Sequence, residues 1–195
     1  MNIDLIDCGS QRVPEIRSAL DFLGCKVDLL SLEQQNLRLN FPNPLVISGG
    51  PRLFTEAGGE DLARHFDFLE RVQTPILGIC LGLQGIAKKF GGSVFRGVEV
   101  RTARKLNYHK EHPLFEKCPA DTLWLEDHCE GVTLPENFDC LASSLEYPIE
   151  AMVHRQRAIF GVQFHPESSG ASGRLFFANF LNIAQKQLKL DLTKS

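Results

Sequence analysis

Short apolar runs alternate with amphipathic segments along the first half of the chain. Runs of this length are typical of buried strands, and segments whose apolar residues recur every three or four positions are typical of helices. The alternation is the βαβ pattern of a mostly parallel sheet with helices on its faces. The predicted strands are residues 2–6, 27–32, 45–47 and 75–79. The predicted helices are residues 13–23 and 60–71, and a third helix that starts at residues 81–83 and ends at Gly91-Gly92.

The second half of the chain has a different periodicity. Between Ser93 and Val162 the pattern is mostly that of β-strands interrupted by prolines, which predicts antiparallel strands beside the parallel core. A final helix is predicted at residues 173–188, followed by a flexible tail at residues 189–195. The predicted fold class is therefore α/β, with a mostly parallel central sheet flanked by helices, additional antiparallel strands and a single domain at residues 1–188.

Composition and charge exclude several classes of function. The net charge is −3 and no apolar stretch is long enough to span a bilayer, so neither nucleic acid nor a membrane is an expected partner. The N-terminal residues lack the features of a signal peptide, and the six cysteines show no paired metal-type spacing, so we expect reduced thiols and a cytoplasmic location. His109 and His112 have no acidic or cysteine companions at ligand spacing, so neither a metal nor a cofactor is expected. The pattern G-x-x-x-x-G-K-[ST] does not occur in the sequence, so any step that consumes ATP belongs to another polypeptide.

One pentapeptide carries the strongest chemical signal. Gly78-Ile79-Cys80-Leu81-Gly82 follows an apolar strand pattern and precedes a helical one. Glycines around a nucleophile at such a junction form the tight turn of G-x-S-x-G hydrolases, in which the nucleophile stands at the tip. The positive end of the following helix dipole favours the thiolate form of a cysteine placed there. Cys80 is therefore the candidate nucleophile.

A thiolate nucleophile needs a base, and the base needs a group that orients it. His165 lies just past the end of an alternating apolar pattern, and Pro166 prevents regular sheet pairing from continuing. Glu167, two residues after the histidine, can turn its carboxylate back toward the imidazole. Because ligands of open parallel sheets bind at the carboxyl ends of the strands, we expect Cys80 and His165 to meet there.

A third segment, Ser48-Gly49-Gly50-Pro51, follows another buried strand. Glycines at this point allow a backbone N–H to face the crevice instead of a neighbouring strand. Together with the N–H of Leu81, such a donor could hold the oxyanion of a tetrahedral intermediate. Taken alone, without the elbow at Cys80, the glycine–proline break is more typical of a plain turn.

The motifs S-G-G-P, G-I-C-L-G-x-Q and G-V-Q-F-H-P-E-S, in this order, resemble those of the class I (triad) glutamine amidotransferases, and the resemblance extends from Ile3 to about Leu181. It implies a flavodoxin-like fold and the hydrolysis of glutamine to glutamate through a thioester. It also implies that the ammonia passes to a partner, an ATP-dependent synthetase or a synthase. The residue roles that it implies are Cys80 as nucleophile, His165 as base and acid, Glu167 as orienting carboxylate, Gly50 and Leu81 as oxyanion-hole amides, and Gly49 and Gln84 as contacts of glutamine.

Within this family, three segments are similar to the glutaminases of GMP synthetases, in particular the separate subunit of the archaeal type. They are residues 6–11, residues 147–154, and residues 124–132 with His128 and Glu130. The chain also departs from the family pattern in three places. Leu83 stands where a histidine is usual, Glu130 replaces an aspartate, and residues 97–106 carry more charge than the segment that usually lines the glutamine pocket.

Other interpretations are open at this stage. The chain could be a non-catalytic or weakly active regulatory subunit, to which Leu83 and the charged residues 97–106 point, or a cysteine hydrolase that acts on another amide. The glutaminase subunits of anthranilate or aminodeoxychorismate synthase are alternatives within the family. His128 and Glu130 could be a polar pair at a strand end.

Overall fold

The computed structural model of the protein describes residues 1–193. Strands and helices alternate in the first half of the chain, as the apolar pattern predicts. A 3₁₀ helix, Leu32–Leu37, follows the second strand, and another, Asp67–Glu70, follows the second helix. The regular elements are β1 (Asn2–Asp7), α1 (Val13–Phe22), β2 (Lys26–Ser31), β3 (Leu45–Ile47), α2 (Gly59–Arg64), β4 (Ile76–Ile79) and α3 (Leu81–Lys89).

The second half of the chain consists mainly of short strands and ends in a long helix. Two further 3₁₀ helices, Pro113–Phe115 and Pro166–Ser168, lie among these elements. The elements are β5 (Val94–Val100), β6 (Ala103–Arg104), β7 (Asn107–Tyr108), β8 (Trp124–Leu125), β9 (His128–Val132), β10 (Phe138–Ser143), β11 (Ala151–His154), β12 (Ile159–Val162) and α4 (Gly170–Leu192).

The central sheet has eight strands in the order β2-β1-β3-β4-β12-β11-β10-β7. The strands from β2 to β12 pair in parallel, and those from β12 to β7 pair antiparallel. Two small antiparallel pairs, β5 with β9 and β6 with β8, form separate sheets. The prediction of an α/β fold with a mostly parallel sheet and additional antiparallel strands is therefore confirmed.

Helices cover both faces of the parallel sheet. Neighbouring residues of a strand point to opposite sides of the sheet, so each strand contributes side chains to both apolar clusters. Leu77 of β4 belongs to the apolar cluster that contains Ile16 of α1 and Phe176 of α4. Ile76, the residue before it, belongs to the cluster that contains Ile86 of α3. The sheet is thus the middle layer between two helical layers, and it fixes where each strand ends.

The register of the parallel strands brings three chain segments to one edge of the sheet. Ile47 at the end of β3 is level with Gly78 of β4, and Ile79 at the end of β4 is level with Val162 of β12. The residues that follow β3, β4 and β12 therefore leave the sheet side by side. This is the edge at which ligands of parallel sheets bind.

The single helix predicted at residues 60–71 is wrong. α2 ends at Arg64, and the chain then tightens into the 3₁₀ helix Asp67–Glu70. Phe66 and Phe68 are both fully buried although residues two positions apart lie on opposite sides of an α-helix, so a regular surface helix with one apolar face cannot continue through them.

The last helix is longer than predicted. α4 begins at Gly170 and ends at Leu192, so part of the segment predicted as a flexible tail continues the helix. Residues 194–195 lie outside the described part of the chain. Within residues 1–193, no helix combines the length and apolar character that crossing a bilayer requires.

The start of α3 is packed directly against β3. A Cβ atom on Gly82 would lie 2.6 Å from the carbonyl oxygen of Ile47. A Cβ atom on Gly78 would lie equally close, 2.6 Å, to the carbonyl group of Gly82. The two glycines beside Cys80 are therefore required by the close approach of helix and strand.

We expect Gly82→Ala to lower the free energy of unfolding by about 1–3 kcal/mol, because the added methyl group meets backbone that cannot move aside. Equilibrium urea unfolding measures the change. Ser18→Ala on the exposed face of α1 is the control, with an expected change below about 0.5 kcal/mol. A Gly82→Ala chain as stable as the unaltered protein would contradict this account of the turn.

Candidate active site

Cys80 occupies the turn between β4 and α3 in a backbone conformation that side chains rarely adopt. Its φ is +51° and its ψ is −105°. The turn is held from both sides, because the Cys80 N–H donates to the carbonyl of Val162 at 2.8 Å and the Cys80 carbonyl accepts from the N–H of Gln84 at 3.1 Å. Strained backbone of this kind persists only where the surroundings impose it, and it is concentrated at functional sites. The strand-to-helix elbow that the glycine pattern predicts is present.

The side chains of Cys80, His165 and Glu167 form one series of neighbouring groups. The thiol of Cys80 lies close enough to the imidazole of His165 to raise the pKa of the ring. On the other side of the ring, Nδ1 of His165 lies 2.7 Å from Oε1 of Glu167. All three side chains are nearly buried. The structure therefore brings together the three residues that sequence analysis selects from two distant segments.

The backbone around His165 holds the ring in place. The N–H of His165 donates to the carbonyl of Leu125 at 2.7 Å, and the hydroxyl of Ser169 donates to the carbonyl of His165, also at 2.7 Å. The same hydroxyl accepts from the N–H of Leu125. β8 thus ties the segment after β12 to the start of α4, so the imidazole stands on a rigid support.

The pKa of His165 is strongly raised. Burial by itself lowers it, but the hydrogen bonds to Cys80 and Glu167 and the charges of these two groups outweigh burial and raise the pKa from 6.5 to about 10. The imidazolium form of His165 is therefore the stable one at neutral pH. A protonated imidazole beside a thiol is the arrangement that supports a thiolate nucleophile.

The glycine pair after β3 lies against this series. A Cβ atom on Gly49 would be 3.1 Å from Cε1 of His165 and 3.4 Å from Cβ of Cys80. A Cβ atom on Gly50 would be 2.3 Å from the carbonyl oxygen of Cys8. Within residues 1–193 no hydrogen-bond acceptor is found for the N–H of Gly50, and the first turn of α3 leaves the N–H of Leu81 without an acceptor inside the helix.

A cavity of about 630 Å³ opens beside Cys80. Its wall carries side chains of both charge signs. Arg12 and Asp127 form an ion pair at 3.1 Å, and Arg101 pairs with Glu99 at 2.7 Å. Glu99 and Arg101 belong to the charged segment, residues 97–106, that departs from the family pattern, so this segment does line the cavity.

Gln84 and Glu130 lie at the inner wall of the cavity. The amide nitrogen of Gln84 is 3.4 Å from the carbonyl oxygen of Glu130 and 3.4 Å from Oε1 of Gln163. The carboxylate of Glu130 accepts from the backbone N–H groups of Phe54 and Thr55 at 3.1 and 2.7 Å. Glu130 therefore fixes a neighbouring loop, and its own carboxylate is already occupied.

Two further residues singled out in the sequence, the departure Leu83 and the family-like His128, have defined contacts in the structure. Leu83 is fully buried, and its side chain packs on Gly161 of β12 instead of facing the cavity. His128 points its Nδ1 at the backbone carbonyl of Glu130, 3.0 Å away, so these two residues do not form an ion pair with each other.

Several residues around the cavity have no local signal in the sequence. Arg12 and Asp127 are ordinary surface residues by pattern, and only the fold brings them together.

Among the described residues, Glu126, His128 and Glu150 form a buried group whose ligand-type atoms lie within 4.8 Å of one another, which is the donor set of a metal site. Sequence spacing could not find this group, because Glu150 comes from a different loop.

The comparison with known proteins agrees with the geometry. The family model described as glutamine amidotransferase class-I matches residues 4–183. The chain is 36% identical over 186 residues to the glutamine-hydrolysing GMP synthase subunit of Pyrococcus furiosus, covering 93% of this chain and 97% of that protein. It is 36% identical over 169 residues to the Pyrococcus abyssi protein of the same name, covering 85% and 88%.

A solved structure is similar over nearly the whole chain. It is the crystal structure of a Thermoplasma acidophilum protein provisionally named as the same GMP synthase subunit, with a TM-score of 0.89 and 27% identity. The match covers 98% of this chain and 97% of that one. The chain therefore belongs to the class I glutamine amidotransferase family.

Proposed function

We propose that the protein hydrolyses glutamine to glutamate and ammonia through a thioester on Cys80, and that it supplies the ammonia to a partner synthetase subunit that forms GMP. The observation that carries this proposal is the series Cys80–His165–Glu167 at the edge of the parallel sheet, in which the thiol lies beside the imidazole and the imidazole is hydrogen-bonded to the carboxylate. A nucleophile, a proton-transferring imidazole and an orienting carboxylate are the groups that acyl transfer requires.

In the first half of the reaction, Sγ of Cys80 attacks the side-chain amide carbon of glutamine. The amide oxygen becomes an oxyanion, which the N–H groups of Gly50 and Leu81 stabilise. His165 then gives its proton to the amide nitrogen, the carbon–nitrogen bond breaks, and ammonia leaves. A single oxyanion donor contributes about 3–4 kcal/mol in comparable sites.

In the second half, a water molecule attacks the thioester carbon. Neutral His165 accepts a proton from the water, and the same two N–H groups hold the second oxyanion. The carbon–sulfur bond then breaks, which releases glutamate and restores the thiolate and the imidazolium. Glu167 stays ionised throughout and holds Nδ1–H of His165, so that Nε2 remains the atom that transfers protons.

The cavity suits a free amino acid. Glutamine carries an α-ammonium and an α-carboxylate group, and the cavity wall offers both carboxylates and guanidinium groups. Gly49 and Gln84 are proposed to contact the substrate near its amide end. The charged segment at residues 97–106 is then part of the recognition of the amino-acid end, which argues against the loss of substrate binding in a purely regulatory subunit.

The partner is inferred from the relatives. Matches over almost the full chain carry the name of a GMP synthase subunit, and that name implies a second subunit. A docked partner is also physically reasonable, because ammonia released into solvent at neutral pH is protonated and loses its nucleophilicity. The assignment to GMP synthesis, and not to the anthranilate or aminodeoxychorismate pathways, rests on these matches.

We expect Cys80→Ala to reduce glutamine hydrolysis roughly 10⁴-fold or more, because no other group of the site can form the thioester. The assay is glutamate release, with and without the synthetase subunit from the same organism. GMP formation from added ammonium salt should be unchanged in the same complex. Cys25→Ala, at a cysteine remote from the cavity, is the matched control and should remain fully active.

Two outcomes would contradict separate parts of the proposal. Retention of glutamine turnover by Cys80→Ala excludes the covalent mechanism. Active glutamine hydrolysis without any glutamine-dependent GMP formation, when the GMP-forming subunit is present, leaves the chemistry intact and excludes the partner.

The proton affinity of His165 provides an independent prediction. NMR on histidine-labelled protein follows the ring signals of His165, and we expect them to titrate near pH 10. In Cys80→Ala and in Glu167→Gln the ring should titrate at lower pH, because each change removes a group that raises the pKa of His165. His112 is the internal reference, because burial lowers its pKa below 6.5. Titration of His165 near 6.5 in the unaltered chain would contradict the ion-pair account.

The raised pKa of His165 also determines how its contribution to stability changes with pH. The folded chain holds the His165 proton more tightly than the unfolded chain, with a pKa of about 10 against 6.5. This contribution to stability is therefore complete below pH 6.5 and is lost as the pH rises through 10. Glu167→Gln should reduce the difference in thermal stability between pH 6.5 and pH 9.

A further inference from the structure

Behind the wall of the active-site cavity, three ionisable side chains converge in the interior. Glu126 lies between β8 and β9, His128 begins β9, and Glu150 lies between β10 and β11. The two glutamates are fully buried, and the side chain of His128 is 2% exposed. One ligand-type atom from each residue lies within 4.8 Å of those of the other two.

The atoms that face one another are hydrogen-bond acceptors. Nδ1 of His128 lies 3.0 Å from the carbonyl oxygen of Glu130, and a carbonyl only accepts, so Nδ1 carries the proton. In the neutral ring this leaves a lone pair on Nε2, which points at Oε2 of Glu126 from 3.6 Å. Within the described chain, Nε2 of His128, both carboxylate oxygens of Glu126 and Oε2 of Glu150 have no hydrogen-bond partner.

The charge of the group is also unbalanced. Arg104 faces Glu150 but is already paired with Glu146, which adds a further negative charge to the surroundings. Converging buried acceptors without a donor are costly unless a cation lies between them.

We propose that Glu126, His128 and Glu150 bind one divalent transition-metal ion, with Zn²⁺ as the ion whose ligand preference they match. One imidazole nitrogen and two carboxylate oxygens are ligands that Zn²⁺ accepts, and one position remains for water. Tetrahedral bonds of about 2.0–2.2 Å place ligand atoms about 3.4 Å apart, so atoms now within 4.8 Å of one another need to approach by at most about 1.4 Å. A cation held here neutralises two buried carboxylates and occupies all the acceptors that face one another.

The surroundings provide the outer contacts that a metal site needs. The bond from Nδ1–H of His128 to the Glu130 carbonyl fixes the ring and its tautomer, as is usual for metal-binding histidines. The other oxygen of Glu150 accepts from the hydroxyl of Ser144 at 2.7 Å. The ring of His128 also packs on Tyr147, with 4.6 Å between ring centroids. Since His128 also lines the active-site cavity, that cavity provides the route by which an ion enters.

The ion would have a structural role. It would join the loop between β8 and β9 to the loop between β10 and β11, and the carbonyl of Glu130 that orients His128 also contacts Gln84. The metal would therefore stiffen the inner wall of the glutamine cavity. It takes no part in the proposed acyl transfer, so the two proposals can fail separately.

The test uses the full chain with Cys80→Ser, which removes the Cys80–His165 pair as a competing zinc site. After treatment with a chelator and dialysis, the protein is titrated with ZnCl₂. We expect one tightly bound zinc per chain and a higher midpoint of thermal unfolding. The zinc K-edge absorption spectrum should show a shell of nitrogen and oxygen at about 2.0 Å and no sulfur shell at about 2.3 Å.

Glu126→Gln in the Cys80→Ser chain distinguishes zinc binding by Glu126 from a role of Glu126 in folding alone. The variant should bind zinc roughly 100-fold or more weakly. In the presence of chelator, the variant should be at least as thermostable as the parent, because one of two repelling buried carboxylates is gone. In the presence of zinc, the parent should be the more thermostable of the two. Glu146→Gln, a neighbouring carboxylate outside the ligand set, is the control and should bind zinc as the parent does.

Three results would overturn the proposal. They are the absence of zinc binding by the folded parent, a sulfur shell in the absorption spectrum, and equal zinc affinity in Glu126→Gln. If Glu126 and Glu150 instead share a proton, the parent will bind no zinc, and the thermal stability of Glu126→Gln relative to the parent will not depend on zinc.

Discussion

The close approach of the Cys80 thiol to the His165 imidazole is the interaction on which the rest of the site depends. It joins residues that are far apart in sequence, and it exists because β4 and β12 are adjacent and in register. Ile79 and Val162 are paired at the ends of these strands, so the segments that follow must leave the sheet together. A slip of one residue in this register would turn the side chains to opposite faces and separate the two groups.

The strained turn at Cys80 and the glycines around it follow from the same constraint. α3 starts immediately after β4, so that its first N–H groups lie beside Cys80, and this brings Gly82 against the backbone of β3. Gly49 has no side chain because the His165 ring and Cys80 occupy the space a Cβ would need. The site is therefore built from close backbone approaches, and its few side chains are held by β8 and by the start of α4.

Features with a local physical signature could be predicted from the sequence. The strands, the elbow at Cys80 and the position of His165 after a strand each depend on neighbouring residues, and the structure has all of them. The helix predicted at residues 60–71 was wrong because Phe66 and Phe68, two positions apart, are both drawn into the core, which the helical period does not reveal. The group of Glu126, His128 and Glu150 was not predicted, since long-range packing alone brings Glu150 to the other two. The same holds for Arg12 and Asp127 at the cavity wall, whose pairing depends on the final fold.

The central claim is that Cys80 becomes covalently linked to the carbon skeleton of glutamine. The most direct test is mass spectrometry of the chain after reaction with a glutamine-like diazo-ketone in the presence of the synthetase subunit. The account predicts a single adduct on the peptide that contains Cys80 and its suppression by excess glutamine. An unmodified Cys80, or an adduct only on another cysteine, would contradict it.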